Sequence, residues 1–151
     1  MLIGLAFHIL GAVIWVGGMF FAYVVLRPST GPLEPPVRLA LWDRVFARFF
    51  LWVWLSVAAL LVSGLVMVFA AFGGFAGTGA YVRAMMTLGI IMILIFVHVY
   101  FAPWRRFHRA VATADWPAAG KAIEQIRLLV GVNLILGLIT VIVGASGRYW
   151  M

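Results

Sequence analysis

The sequence predicts an all-α integral membrane protein that folds as an up-down bundle of four helices. Of its 151 residues, 66% are hydrophobic and 10% are charged, against roughly half and roughly a quarter in soluble domains. Four apolar stretches each reach the roughly 20 residues that a helix needs to cross a bilayer. The chain is therefore expected to form a single transmembrane domain, residues 1–151, with the lipid bilayer around it.

The four helices are predicted in order along the chain, each from its own apolar run. They cover about residues 2–26, 46–72, 84–104 and 126–146. The first lacks the basic start and the small-residue cleavage site of a signal peptide, so we expect it to be retained. A short glycine-rich loop joins the second helix to the third, which predicts that these two are antiparallel neighbours.

Two proline positions set the expected helix ends on either side of the third linker. Pro103 is expected to end the third helix, because the residue before a proline is biased away from helical geometry. Asp115, followed by Trp116 and Pro117, has the pattern of a helix N-cap with proline in the first turn. The fourth helix is therefore expected to begin well before its apolar part.

Basic residues are distributed unequally between the two ends of the predicted bundle. Nine of the eleven lysines and arginines lie in or beside the first and third linkers, and Arg83 and Arg148 lie at the opposite end. Lys and Arg concentrate in loops that stay cytoplasmic. We therefore expect both termini on the non-cytoplasmic side of the cytoplasmic (inner) membrane. The net charge of +7 then reflects topology, so nucleic acid is excluded as a partner.

The distribution of cysteine and of acidic residues excludes several classes of function. The chain has no cysteine, which removes disulfides, iron–sulfur clusters and thiolate zinc sites. Its four acids are Glu34, Asp43, Asp115 and Glu124, all in the linkers or beside them. The predicted membrane interior therefore offers neither carboxylate ligands for a hard cation nor the acid of a hydrolytic triad.

Small and polar residues recur at helical spacing in each predicted helix. In lipid, such residues mark the faces through which helices associate. They are Gly4, His8, Gly11, Trp15, Gly18 and Ala22 in the first helix; Arg48, Trp52, Ser56, Ala59, Ser63 and Met67 in the second; Thr87, Ile91, His98 and Arg105 in the third; and Asn133, Gly137, Thr140 and Gly144 in the fourth.

The glycines of the first helix have two interpretations. One is close helix packing through small residues. The other is a flat group such as a porphyrin, which would lie against Gly11, Trp15 and Gly18 because a larger side chain at either glycine would hold the ring away. The spacing alone does not separate these interpretations.

His8 is the most informative residue of the set, because an ionisable side chain inside a membrane helix is functional by default. Counted from the basic residues of the linkers, His8 and His98 differ in depth by about 12 residues, or about 18 Å. Two imidazoles on one metal ion need ring nitrogens within about 4 Å. His8 is therefore expected to use a methionine at its own depth (Met67, Met85, Met86 or Met1), to act as sole axial ligand, or to pair with a second copy in a homo-oligomer.

Several stretches of the sequence resemble known membrane protein families. FHILGAVIWVGGMFF, WDRVFARFF and VHVYFAPWRRFHRAV resemble the HemJ-type protoporphyrinogen oxidase family. The first stretch and IRLLVGVNLILGLITVIVG are equally similar to the CopD copper-resistance membrane domain. The HemJ resemblance implies haem b and oxidation of a haem precursor, with His8 and His98 at the family's histidine positions. The CopD resemblance implies copper uptake.

The chain departs from the HemJ pattern at the start of the third helix. That family has a lysine there, where this chain has Met85, Met86 and Thr87. The departure bears on the oxidase activity more than on haem binding, because methionine is a known axial ligand of haem.

The first functional hypothesis is a b-type haem protein. His8 would be an axial ligand, Met85 or Met86 the sixth ligand, and Arg83 and Arg148 would meet the haem propionates. The protein would then act in electron transfer or as an oxidoreductase on a small lipophilic substrate, of the quinone or porphyrin type.

The alternative is a copper-binding or copper-transport protein. His8, Met67, Met85 and Met86 would supply imidazole and thioether donors, which suit Cu(I). A further alternative is an accessory subunit that docks on a larger membrane complex through its glycine stripe.

Overall fold

The structure, a computed structural model, describes residues 2–149 and consists of four long helices joined by short connections. We name them α1 (Leu2–Ser29), α2 (Pro35–Phe72), α3 (Ala80–Ala112) and α4 (Trp116–Ser146), and each is long and apolar enough to cross a membrane. Only 17–22% of the most apolar stretch of each helix is buried inside the protein, so most of each helix surface can contact lipid. The predicted all-α, four-helix membrane fold is confirmed.

The helices run alternately up and down, so both termini lie at one end of the bundle. α1 packs mainly along α2, and α3 mainly along α4, while α4 also contacts α1. We call the end with residues 2 and 149 the terminal end, and the end with the connections 30–34 and 113–115 the linker end. The assignment of the terminal end to the non-cytoplasmic side stays a prediction from the charge distribution.

The helices occupy the predicted positions and extend beyond the predicted apolar spans. α2 begins at Pro35 rather than near residue 46, with prolines in its first turn, where a missing N–H removes no hydrogen bond. α4 begins at Trp116, as the N-cap pattern predicts. The side chain of Asp115 accepts a 3.1 Å hydrogen bond from the backbone amide of Ala118.

The predicted end of the third helix at Pro103 is wrong. The helix passes through this proline as the π-helical segment Tyr100–Trp104 and continues to Ala112. Proline lacks the N–H that an α-helix needs, and the wider π turn takes up the mismatch. α1 shows the same solution, with the π-helical segment Phe21–Leu26 just before Pro28.

Aromatic rings fill the half of the bundle nearer the linker end. The ring centroids of Phe46 and Phe50 lie 5.3 Å apart in a stacked pair, and Phe50 meets Phe96 edge-on at 5.6 Å. Phe107 is fully buried against Phe46. Helices associate in lipid through packing rather than through a hydrophobic driving force, so these rings hold the helices together. The aromatic core comprises Trp15, Trp42, Phe46, Phe50, Phe96 and Phe107.

Candidate functional site

His8 lies on the face of α1 that contacts α2, about two turns from the terminal end. Its side chain is half-buried, and its Nδ1 atom is 2.9 Å from Oγ of Ser63. Ser63 is buried in the second half of α2. The antiparallel packing of α1 on α2 thus gives the intramembrane histidine a fixed polar partner.

The hydrogen bonds around Ser63 favour one tautomer of His8. The hydroxyl of Ser63 donates to the backbone carbonyl of Ala59, one turn earlier in α2. A serine hydroxyl carries a single hydrogen, so Ser63 accepts at the His8 contact and Nδ1 of His8 donates. The second ring nitrogen, Nε2, therefore carries a lone pair. Histidines that bind metals have this arrangement, with one nitrogen held as a donor and the other left as the ligand.

Gly64 provides the space for the imidazole ring. A Cβ atom at Gly64 would stand 3.4 Å from Cε1 and 3.8 Å from Nδ1 of His8. The ring therefore lies against the bare backbone of α2 through its Cε1–Nδ1 edge, and Nε2 is the nitrogen farther from that backbone.

Met67 lies beside His8 in the same helix interface. It follows Ser63 by one turn of α2, and its Cγ atom is 3.9 Å from where a Cβ of Gly4 would stand, one turn before His8. Its side chain is half-buried. We call His8, Ser63, Gly64 and Met67 the His8 site.

Met85 lies at the same depth on the neighbouring pair of helices. Its Sδ atom is 2.9 Å from where a Cβ of Gly144 would stand. Val16 of α1 packs on Gly137 of α4, with its Cγ2 atom 3.0 Å from the corresponding Cβ position. Because α1 and α4 are antiparallel, seven residues forward from Gly137 along α4 correspond to seven residues back from Val16 along α1. Gly144 therefore lies level with residue 9. The predicted common depth of His8 and Met85 thus agrees with the helix register.

Three more of the predicted site residues lie at the terminal end. Met86 is half-buried beside Met85, and Arg83 is exposed in the first turn of α3. Met1 and the side chain of Arg148 lie outside the described part of the chain.

His98 is far from the His8 site. It is exposed on α3, and it follows Met85 by 13 residues, which puts it level with about residue 22 of α1. That level is about 14 residues, or about 21 Å, from His8. The two imidazoles cannot share a metal ion, in agreement with the distance estimated from the sequence.

The face predicted to point inward from the third helix is wrong. Thr87, Ile91, His98 and Arg105 are all exposed on α3. The residues of this helix that face the other helices are Val82, Met92, Phe96 and Val99, which are buried. Polar residues on α3 thus lie on its outer surface, where the longer ones can extend toward a membrane interface.

Gly11, Trp15 and Gly18 face inward, and packing fills the space beside them. A Cβ at Gly11 would stand 3.1 Å from Cγ of Leu60, and one at Gly18 would overlap the ring of Phe49. Trp15 is 3% exposed and belongs to the aromatic core. Side chains of α2 thus occupy the surface that a flat ring would need. Close helix packing explains the glycines, and haem does not fit against them.

The His8 site contains few hard ligands. Within residues 2–149, no group of three or more His, Cys, Asp or Glu side chains converges. A metal ion bound here would therefore take one imidazole nitrogen, with thioether sulfur as the remaining side-chain donor type.

Sequence reasoning placed Ser63 on the inward face of the second helix but did not identify it as the partner of His8. Finding this partner requires the register between α1 and α2, that is, which residues of the two helices lie at the same level. The spacing of two contacts indicates that register: His8 and Gly11 are three residues apart, as are Ser63 and Leu60. Gly11 contacts Leu60, and His8 contacts Ser63.

Together, the four apolar helices define a multi-pass helical membrane protein, and the His8 site places an imidazole and a thioether side chain in one helix interface near its terminal end. Residues 43–146, just over two thirds of the chain, match the family model of copper resistance protein D (CopD). The chain belongs to the CopD family. The matched region contains Met67, Met85 and Met86, whereas His8 precedes it on α1.

Among curated proteins, an uncharacterized protein of Aquifex aeolicus (strain VF5) is 31% identical over 98 residues. The match covers 64% of this chain and 64% of that relative, slightly less than two thirds of the relative's length. No solved structure matches the chain.

Proposed function

We propose that this protein binds Cu(I) at the terminal end of the bundle and acts in copper resistance by holding copper within the membrane. The family to which the chain belongs is named for copper resistance. His8 and Met67 lie in one helix interface, and Met85 and Met86 lie near the same depth on α3. Imidazole and thioether donors of this kind favour Cu(I) over hard cations. The chain has no cysteine, and its four acids lie in or beside the linker-end connections.

The state of His8 carries this proposal. Its Nδ1–H is held by Ser63, whose own hydrogen is held by Ala59. This chain of two hydrogen bonds orients the ring, and in the neutral imidazole it leaves the lone pair on Nε2.

The interior of the bundle favours binding over free passage of the ion. Met92 and Met19 continue the series of thioethers inward and are 3% and 1% exposed. Beyond them the aromatic core fills the linker half. The cavity beside Met19, Trp15 and Asn133 measures about 10 Å³, which is about the space of one water molecule. Onward transfer of copper would therefore require a change of conformation or a partner.

Copper is a better fit than haem to the same residues. The family match supports copper, and the filled faces of Gly11 and Gly18 leave a porphyrin no surface. Copper enters this proposal as the cargo of the protein, so no resident cofactor is required.

A Cu(I) titration of the detergent-purified protein tests the proposal. The protein is titrated anaerobically under reducing conditions, in competition with a coloured Cu(I) chelator. We expect one ion per chain, and a loss of affinity of at least about tenfold in His8→Ala, since loss of one ligand removes one of few bonds. Met67→Leu and Met85→Leu are expected to lose less, because they keep the imidazole.

His98→Ala is the matched control, because it removes an imidazole from a membrane helix far from the His8 site. Its affinity should equal that of the unchanged protein. Absence of stoichiometric copper, or equal affinity in His8→Ala and His98→Ala, would contradict the proposal. An absorbance spectrum of the same preparation, oxidised and reduced, tests haem directly.

A further inference from the structure

A cleft opens between α1, α2 and α4 at the linker end, remote from the His8 site. Its surface is apolar and is formed by Ala22, Phe46, Ile126 and Val130 among others, together with the carbon atoms of Arg27 and Arg127. The cleft lies at the level where the membrane-spanning helices meet the basic linkers. The side-chain stems of two arginines therefore line an apolar groove, and their guanidinium groups lie beyond its surface.

Three arginines lie at or beside this cleft without acidic partners in contact. Arg27 and Arg127 line it, and Arg38 precedes Trp42, which also lines it, by one turn of α2. Glu124 is one turn before Arg127 in α4. Within residues 2–149 the only ion pair is that of His108 and Asp43. None of the three arginines therefore has a carboxylate within 4 Å. The cluster thus carries an excess of positive charge.

Two of these arginines have a donor without an acceptor. The Nε atoms of Arg38 and Arg127 are buried and make no hydrogen bond, although Arg38 donates through a terminal nitrogen to the carbonyl of Gly31 at 3.3 Å. A buried, unsatisfied donor on a charged group costs free energy, and an oxyanion at the outer nitrogens of the same guanidinium groups would offset that cost by charge-assisted bonds. Arg27, which is exposed, lies over the ring of Tyr23 at 5.0 Å, and both residues line the cleft.

The cleft is too small to surround a soluble ligand. Its volume is about 20 Å³, whereas pockets that enclose small molecules measure roughly 300–1,000 Å³. A soluble phosphorylated molecule would be held by little besides its phosphate. A phospholipid needs no enclosure, because its acyl chains stay in the bilayer and only its headgroup must reach the arginines.

We propose that Arg27, Arg38 and Arg127 bind the phosphate headgroup of an anionic phospholipid, with the first part of an acyl chain against Ala22 and Val130. The lipid neutralises the repulsion among the three arginines and bridges α1, α2 and α4. This site is independent of copper binding, since it lies at the opposite end of the bundle.

Lipid titration of the delipidated protein, followed by native mass spectrometry, tests the site. Phosphatidylglycerol is the probe, phosphatidylcholine is the zwitterionic comparison, and inorganic phosphate is added as a competitor. We expect one phosphatidylglycerol to bind ahead of the rest, and the triple variant R27Q/R38Q/R127Q to bind it at least about tenfold more weakly.

The triple variant R44Q/R105Q/R109Q is the matched control. It removes the same charge from the same end of the bundle through arginines that are exposed outside the cleft. We expect its affinity to change by less than about twofold. If the cleft variant does not fold, Arg27→Gln, at an exposed position, and Ala22→Phe, which fills the groove, replace it. Each should weaken binding several-fold.

Three results would overturn the proposal. Equal losses in the two triple variants would show diffuse attraction to the basic surface. Equal binding of phosphatidylcholine would show that the headgroup charge is irrelevant. Displacement of phosphatidylglycerol by millimolar phosphate would assign the arginines to a free oxyanion instead of a lipid.

Discussion

The two halves of the bundle are filled by different kinds of residue. In the linker half, Phe50 and its neighbours interlock at ring distances of 5–6 Å and are almost fully buried. In the terminal half, glycines bring the helices close, and His8 stays half-buried with its Nδ1 atom bonded to Ser63. Dense ring packing supplies many contacts, whereas an oriented imidazole supplies chemistry. We infer that the linker half stabilises the fold and the terminal half carries the function.

The largest expected effect is on stability, from Phe50→Ala. Phe50 is 2% exposed and contacts rings on α2 and α3, so its truncation leaves a cavity that costs about 3–5 kcal/mol. Phe7→Ala is the control, because Phe7 is 58% exposed on the terminal half, and it should stay within about 0.5 kcal/mol. The unfolding midpoint in mixed micelles measures both. Equal effects would contradict the assignment of stability to the linker half.

A smaller loss of stability is expected from Gly18→Ala. The added Cβ would overlap the ring of Phe49, and overpacking of this kind costs about 1–3 kcal/mol. Gly17→Ala is a matched control one residue away, since nothing lies within 4 Å of its Cβ position. The control should be neutral or slightly stabilising, because alanine is the better helix former. If Gly18→Ala were as stable as the unchanged protein, close packing against Phe49 would not explain the glycine at this position.

Next in size is the effect of Ser63→Ala on Cu(I) affinity. Loss of the acceptor that orients His8 should weaken binding by about tenfold, the lower end of what second-shell changes produce. Ser56→Ala is the control: Ser56 is also a buried serine of α2, but its Oγ makes no hydrogen bond. Competition titration of the two variants measures the difference. Equal affinities would remove the proposed role of Ser63.

The smallest effect is expected at the linker end, from Asp43→Asn. Nδ1 of His108 lies 2.8 Å from the Asp43 carboxylate, but the His108 side chain is 55% exposed. Exposed pairs of this kind contribute about 0.5 kcal/mol or less. A double-mutant cycle with His108→Gln measures the coupling. A coupling above about 1 kcal/mol would mean that the linker half depends on charge as well as on rings.

The sequence predicts the helices well because their main determinant, a long apolar run, is local. Helix-breaking at Pro103 was predicted from the same local rules and failed. The π-helical segment Tyr100–Trp104 accommodates the proline while the packing of Phe96 and Phe107 on either side continues the helix. That packing is a tertiary effect, which the local sequence does not contain.

The faces of the helices were harder to predict than their positions. In a soluble protein, apolar residues mark the inner face; in lipid, Leu94 and Phe96 are equally acceptable outside or inside. Leu94 is 63% exposed and Phe96 only 3%. Polar residues were the remaining guide, and they gave the inward position of His8 but misled for His98. The partner of His8 depends on interhelical register, which no single helix encodes.

The π-helical segments have a consequence for how this chain tolerates insertions and deletions. A π turn holds about one residue more than an α turn, and one residue corresponds to about 100° of rotation around a helix. Deleting one residue from Phe21–Leu26 would therefore turn Arg27 away from the cleft while leaving the apolar length of α1 nearly unchanged. In Phe21–Leu26 and Tyr100–Trp104, the loss or gain of a single residue would therefore change the direction of the side chains that follow.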